Sequence, residues 1–220
     1  MRSAGQFAAH LLEAKPAGQA LSTFALSGLP EPAFGNALLS DAASLAFASL
    51  VSMGEALSGI RGQQYAWSVV KLYYCCFYAL KAHLAIDGVV VFHCRKREYV
   101  CDTVDGYTQE FGRSSHQFAW TKISNIRRLS NWVYSDVAGE AFGRIRLMRE
   151  NASYKLAFPD PSPPAEIGSA VPSSLEKAYR TYKADDDLFY TFLQEHVVLA
   201  LPTKMCVEAA RRLQTAGHSF

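Results

Sequence analysis

The segment from Tyr65 to Ile86 constrains this chain most, because eighteen of its twenty-two residues are apolar. As a helix, such a stretch is about 33 Å long, enough to cross a bilayer. Lys71 and Lys81 interrupt it, together with Ser68 and His83, and a charge near mid-bilayer is costly. A helix apolar around nearly its whole circumference has to be surrounded by others. The segment therefore predicts a buried core helix over about residues 63–87, closed by Gly88, at the centre of a mainly all-α helical bundle.

Neighbouring segments support that fold class. Ala4 to Ala14 has the pattern of a short helix, and Pro30 and Pro32 end the weakly patterned N-terminal stretch. Leu39, Ala43, Ala46, Leu50, Met53 and Leu57 recur at helical spacing, so a helix is expected over 36–59, with Asn36 as its cap and Gly59 or Gly62 as its stop. Val89 to Phe92 is β-branched and aromatic, and pairs at most with Tyr99-Val100 in a short hairpin near 89–100. From Cys101 to Gly112 the pattern is broken. A third helix is expected near Gln117 and a longer one over 135–158, where Glu140 with Arg144 and Arg146 with Glu150 are opposite charges four apart. The prolines from Pro159 onward mark a linker over 159–172. That divides the chain into a helical core (1–158), the linker, and C-terminal helices (173–220) that pack back on the core. Ser173 with Glu176 has the form of a capping box, Asp185 to Asp187 marks a break, and Pro202 predicts a kink in the last helix.

About half of the 220 residues are apolar, which excludes a disordered chain. Lys plus Arg (22) nearly balances Asp plus Glu (20), which argues against a surface wholly given to nucleic acid or membrane. The charge is uneven, however. Between His93 and Phe158 eleven basic residues face seven acidic ones, a local +4, and they include Arg95-Lys96-Arg97, Arg127-Arg128 and the set Arg144, Arg146, Arg149. Such runs are usually a solvated surface, and otherwise a face for an acidic partner or nucleic acid. Gln6, His10 and Glu13 break up the first sixteen residues, so no secretory leader is expected. Five cysteines, an odd number, fit reduced thiols in a cytoplasmic protein.

The common nucleotide, dinucleotide, hydrolase and zinc-protease motifs do not occur. His93, Cys94, Cys101 and His116 lie within twenty-four residues but lack a C-x-x-C knuckle, so no metal site is expected. One face of the core helix carries Trp67, Lys71, Tyr74, Tyr78 and Lys81. Buried tyrosine hydroxyls need partners, and Lys71 needs a carboxylate or a wet groove. These needs predict a polar seam between this face and the helix bearing Arg149.

The run Tyr73-Tyr74-Cys75-Cys76-Phe77-Tyr78-Ala79-Leu80-Lys81-Ala82 resembles the YY-x-x-F-x-A-x-x-A helix of HEPN-like proteins. Gly112-Arg113-Ser114-Ser115-His116 is similar to the Gly-Ser-His element that can come after it, and Arg149-Glu150-Asn151-Ala152-Ser153-Tyr154 is similar to a later R-x-x-A-x-Y helix. The resemblance spans roughly residues 62 to 158. It implies a helical bundle, often dimeric, of the kind found in toxin–antitoxin and anti-phage systems, where many members are metal-independent ribonucleases with an R-x4–6-H motif. Here Tyr154 stands where that motif asks for histidine. Tyrosine, with a pKa near 10, shuttles protons poorly at neutral pH. Arg211 and Arg212 precede His218 at the motif's spacing, but in the last residues of the sequence.

The expected function is thus a catalytically silent interaction or structural subunit of a bacterial anti-phage or toxin–antitoxin assembly. It would be a homodimer or part of a multi-protein complex, contacting RNA or DNA through its basic middle region, with no cofactor, metal or membrane. Its binding residues would be Lys71, Tyr74, Tyr78, His116, Arg146, Arg149, Asn151 and Tyr154. Two alternatives are a ribonuclease toxin using Arg211 or Arg212 with His218, and a small-ligand or nucleotide sensor using the Lys71/Tyr74/Arg149 seam.

Overall fold

The computed structural model describes residues 3–15, 17–18, 31–104, 107–112, 123, 126, 129–155, 167 and 174–216. They form helices α1 (Ala4–Glu13), α2 (Glu31–Arg61) and α3 (Tyr65–Ile86), then strands β1 (Val89–Cys94), β2 (Arg97–Asp102) and β3 (Tyr107–Gly112). Next come a 3-10 turn (Trp132–Tyr134), α4 (Asp136–Glu150), a π turn (Asn151–Lys155), α5 (Leu175–Lys183), α6 (Phe189–Phe192) and α7 (Val197–Thr215). The fold is mainly α, with the expected β1–β2 hairpin. By contacts the chain divides into two units, Met1–Ser44 with Lys81–Ser130 and Arg212–Phe220, and Leu45–Leu80 with Asn131–Arg211.

In the first unit, Ser3 opens α1 with a capping box closed by Gln6. The Ala4 amide donates to Asp41 Oδ2 at 2.8 Å, and Phe7 meets Phe34 edge to face. Gly5 lets α1 lie against β1, since a Cβ there would stand 3.2 Å from Phe92 Cβ. The hairpin pairs Val91 with Val100 and Phe92 with Tyr99. Its turn is Arg95-Lys96, both left-handed (φ 47° and 68°), the geometry of a primed two-residue turn. The basic run Arg95-Lys96-Arg97 is therefore an exposed hairpin tip.

Several sequence expectations are corrected. The stretch from Cys101 to Gly112 is not broken coil: β2 continues to Asp102 and β3 pairs with it, Tyr99 opposite Glu110 and Cys101 opposite Thr108. Thr108, Gln109 and Glu110 hide the apolar alternation, and only pairing with β2 reveals the strand. The second helix begins at Glu31, not Asn36, because Pro32 sits in its first turn, where no amide donor is required. Past Arg61 the chain turns through Gln63 rather than a glycine (φ 58°), with the Gln64 amide donating to the Gly59 carbonyl. Gly88 does close α3, in the left-handed region (φ 75°). The fourth helix is α-helical over Asp136–Glu150 and goes on as a π turn over Asn151–Lys155, while residues 156–158 of the expected helix lie outside the described residues. The cap of α5 is Ser174, whose Oγ accepts from the Lys177 amide, rather than Ser173. The helix expected near Gln117 and the linker 159–172, Ile167 excepted, lie outside the described residues.

The second unit is built around α3. Leu72, Tyr73, Cys75, Cys76, Ala79 and Leu80 are fully buried. Three helices meet them. From α2, Ser49 Oγ donates to the Cys75 carbonyl at 2.9 Å. From α4, Phe142 packs on Tyr73 with ring centres 5.3 Å apart. From α7, the Pro202 carbonyl accepts from the Cys75 thiol at 3.6 Å. All five cysteines are free and buried. Asp185, in the expected break, accepts from both the Thr191 amide and its hydroxyl, at 2.7 and 2.6 Å, and so starts α6.

Both α2 and α3 are long and apolar enough to cross a membrane by length and composition. They differ in burial. The most apolar window of α3 is 72% buried, whereas that of α2 is only 39% buried. The first is a core helix; the second is less covered, with Phe47 and Val51 among its exposed residues.

Candidate functional site

Spacing of four, three and four residues sets Trp67, Lys71, Tyr74 and Tyr78 along one face of α3. That face is the part of the helix that the second unit leaves open. Trp67 is exposed and the other three are half-buried, while Ser68 to Val70, Leu72, Tyr73 and Cys75 to Phe77 are buried. Lys71 finds the carboxylate its position calls for, with Nζ 2.6 Å from Glu55 Oε2 on α2, and it also lies 5.2 Å from the Trp67 ring centre. Tyr74 and Tyr78 stack at 5.9 Å.

The arginine-bearing helix reaches this face from beneath. Arg149, in the last turn of α4, is buried, with its guanidinium carbon 5.3 Å from the ring centre of Tyr73. The tyrosine under the guanidinium is thus Tyr73, one residue outside the predicted stripe. Tyr73 in turn meets Tyr74 edge to face at 5.3 Å, which links the buried arginine to the half-open tyrosines. Burial pushes the Tyr73 hydroxyl up to about 12, against the pull of Arg149 and, more weakly, Arg146. Arg146 is half-exposed, with Nε 3.7 Å from Glu150 and no hydrogen-bond acceptor for that N–H among the described residues. Asn151 continues the ladder to the Leu147 and Met148 carbonyls and starts the π turn that carries Tyr154. His116 and His218 lie outside the described residues.

Arg211 and Arg212 are engaged elsewhere. Arg211 forks onto Glu208 at 2.8 and 3.0 Å. Arg212 donates to Asp87 Oδ1 at 2.5 Å and to His83 Nδ1 at 3.0 Å. Because guanidinium only donates, Nδ1 of His83 must accept, and the imidazole carries its proton on Nε2. This buried histidine was absent from the predicted site. Its only sequence signal is the i, i+4 spacing of His83 and Asp87 at the end of α3.

A second group that sequence reasoning missed lies in the first unit. Glu98 on β2 is buried, and neither carboxylate oxygen has a hydrogen-bond partner among the described residues. Lys81 Nζ stands 3.8 Å away, and His93 Nε2, on the cross-strand neighbour, 3.9 Å. Burial holds the Lys81 ammonium below its ordinary range, offset in part by Glu98. Cys94 and Cys101 are buried in the sheet.

Half-open aromatic rings beside cations can stack on unpaired bases or planar groups and pair with phosphate. No family model, curated protein or solved structure matches this chain.

Proposed function

We propose that this chain is a catalytically silent, HEPN-like binding subunit of a bacterial anti-phage or toxin–antitoxin assembly. Its contact face would be the Trp67/Lys71/Tyr74/Tyr78 side of α3, supplemented by Arg146. The family and the biological setting rest on the sequence resemblance alone. The observation that carries the silent reading is the position of Arg149. A guanidinium that stabilises a phosphate in a transition state has to face the substrate, and this one is 8% exposed beneath the ring of Tyr73. Its motif partner is Tyr154 rather than histidine. The other two arginines of the alternative pair are held in ion pairs with Glu208 and Asp87. Contact with RNA or DNA is favoured by the exposed Arg95-Lys96-Arg97 tip as well as by the aromatic face.

The test uses purified protein in chelator with labelled single-stranded RNA. Binding without cleavage is expected, and the Tyr74→Ala/Tyr78→Ala double variant should weaken binding roughly tenfold or more, since base stacking is worth about 1–3 kcal/mol per base. Metal-independent cleavage that disappears in His218→Ala would replace this reading with the ribonuclease one.

A further inference from the structure

Glu98 is a charge that the first unit leaves without a hydrogen bond. Its side chain is 1% exposed, and neither oxygen accepts a hydrogen bond among the described residues. A buried carboxylate in that state has given up its hydration and received no donor in exchange. Its cross-strand neighbours are His93 on β1 and Gly112 on β3, and the glycine has no side chain to donate. Lys81 Nζ lies 3.8 Å and His93 Nε2 3.9 Å from the same oxygen, Oε1. Both distances are longer than a hydrogen bond. Both carboxylate oxygens are therefore open to take a proton.

The three groups differ in access. Against the closed Glu98, the Lys81 side chain is 18% and that of His93 60% exposed. The amine is thus the member of the buried pair that a small molecule can reach, with the imidazole on the open side. A lysine with little water around it and a carboxylate nearby suits nucleophilic chemistry. Burial lowers the Lys81 ammonium from its ordinary 10.5, and Glu98 offsets this in part. More of Lys81 than of a surface lysine is therefore free amine at neutral pH.

The buried carboxylate also selects the reagent. Acylation would turn the Lys81 nitrogen into a neutral amide and leave Glu98 buried without a counter-charge. Addition of carbon dioxide would set a second anion beside it. Condensation with an aldehyde does neither, because the iminium nitrogen keeps the positive charge that Glu98 faces.

We propose that Lys81 is a carbonyl-reactive lysine that condenses with small aldehydes, with Glu98 carrying the proton and His93 flanking the opening. Glu98 accepts a proton from the Lys81 ammonium. The amine nitrogen bonds to the carbonyl carbon, the C=O pair moves to oxygen, and a nitrogen-bound proton passes to that oxygen to give a carbinolamine. Glu98 returns its proton to the hydroxyl, water leaves with the C–O bond pair, and the nitrogen lone pair completes the iminium. One ammonium and one aldehyde become one iminium and one water, and nothing is oxidised or reduced. None of the three residues belongs to the proposed contact face, so a failure to bind RNA would leave this chemistry untouched.

The experiment treats the folded full chain with limiting propanal and cyanoborohydride near neutral pH, and reads the alkylation rate of each lysine by peptide mass spectrometry. Lys81 should react roughly tenfold faster than exposed Lys96 and Lys183, since a positioned proton carrier contributes about 100-fold or more and the narrow opening takes back part of it. Glu98→Gln should bring Lys81 down to the rate of Lys96 or below. This separates proton transfer from charge pairing, because removing a counter-charge alone frees more amine and raises the rate. Glu98→Asp, which draws the carboxylate back on a shorter arm, should also slow Lys81 and serves where the glutamine variant does not fold, as checked by circular dichroism. Lys81 reacting no faster than Lys96 and Lys183 would overturn the proposal. So would a Lys81 rate that rises or stays level in either folded variant.

Discussion

The guanidinium of Arg149 lies 5.3 Å from the ring centre of Tyr73, and the same ring packs on Phe142 and meets Tyr74 edge to face. One cation from the end of α4 is thereby fixed against the core helix and connected, through Tyr73, to the half-open stack of Tyr74 and Tyr78. The planar guanidinium suits this seat because it is weakly hydrated and lies well on an aromatic face. Arg149→Lys, which keeps the charge but loses the plane, should lower unfolding stability by about 1–2 kcal/mol. Urea unfolding checks this, and a change within error would mean that the contact is incidental.

Alkaline pH should act through two hydroxyls. Burial raises Tyr73 and Tyr182 from an ordinary 10.0 to about 12 each, in Tyr182 with a further contribution from Tyr190. Between those values the unfolded chain releases protons that the folded chain keeps. The stability these groups contribute is fully present below pH 10 and is lost as pH rises toward 12. Urea midpoints measured across that range should fall, and Tyr73→Phe and Tyr182→Phe should each flatten the fall.

Buried Glu98 and half-buried Lys81 should behave as a unit. Glu98→Gln removes the carboxylate charge that stands 3.8 Å from the Lys81 ammonium and is expected to cost about 3 kcal/mol, while Glu98→Leu with Lys81→Met should recover most of it. The folded Lys81 gives up its proton below its ordinary 10.5, so stability rises with pH across the interval just below that value. That rise should disappear in Lys81→Met. Thermal melts of the single and double variants decide the matter, and additive losses would show that the two groups are independent.

Two adjacent arginines should differ sharply. Arg211 is 72% exposed and pairs with buried Glu208, a bridge open to water on the guanidinium side whose loss should cost about 1 kcal/mol. Arg212 holds Asp87 and the buried His83, and Arg212→Ala should cost roughly 2–3 kcal/mol by leaving both without its donors. Equal effects of the two substitutions on melting temperature would contradict this assignment.

In the core, Leu72 is fully buried on α3. Leu72→Asp should abolish cooperative folding, because an unpaired charge at that position has no compensation. A soluble, cooperatively melting variant would show that α3 is not the core helix.

Local regularity made the helices legible in the sequence. The continuous apolar run 65–86 names its own helix, Gly88 its end, and Val89 to Phe92 the first strand, because each signal lies within a few residues of what it specifies. The half-open stripe from Trp67 to Tyr78 was legible for the same reason, since helical spacing alone assigns residues to a face. Tertiary structure decided which partners those residues meet. Tyr73 rather than Tyr74 takes Arg149 across seventy-six positions of sequence, and Arg212 turns to His83 and Asp87 instead of toward the chain end. Strand β3 exists only through its register with β2, and the charge of Glu98 is buried only because that sheet forms. Such pairings depend on loop closure and on burial shared among distant segments, and neither leaves a local pattern to read.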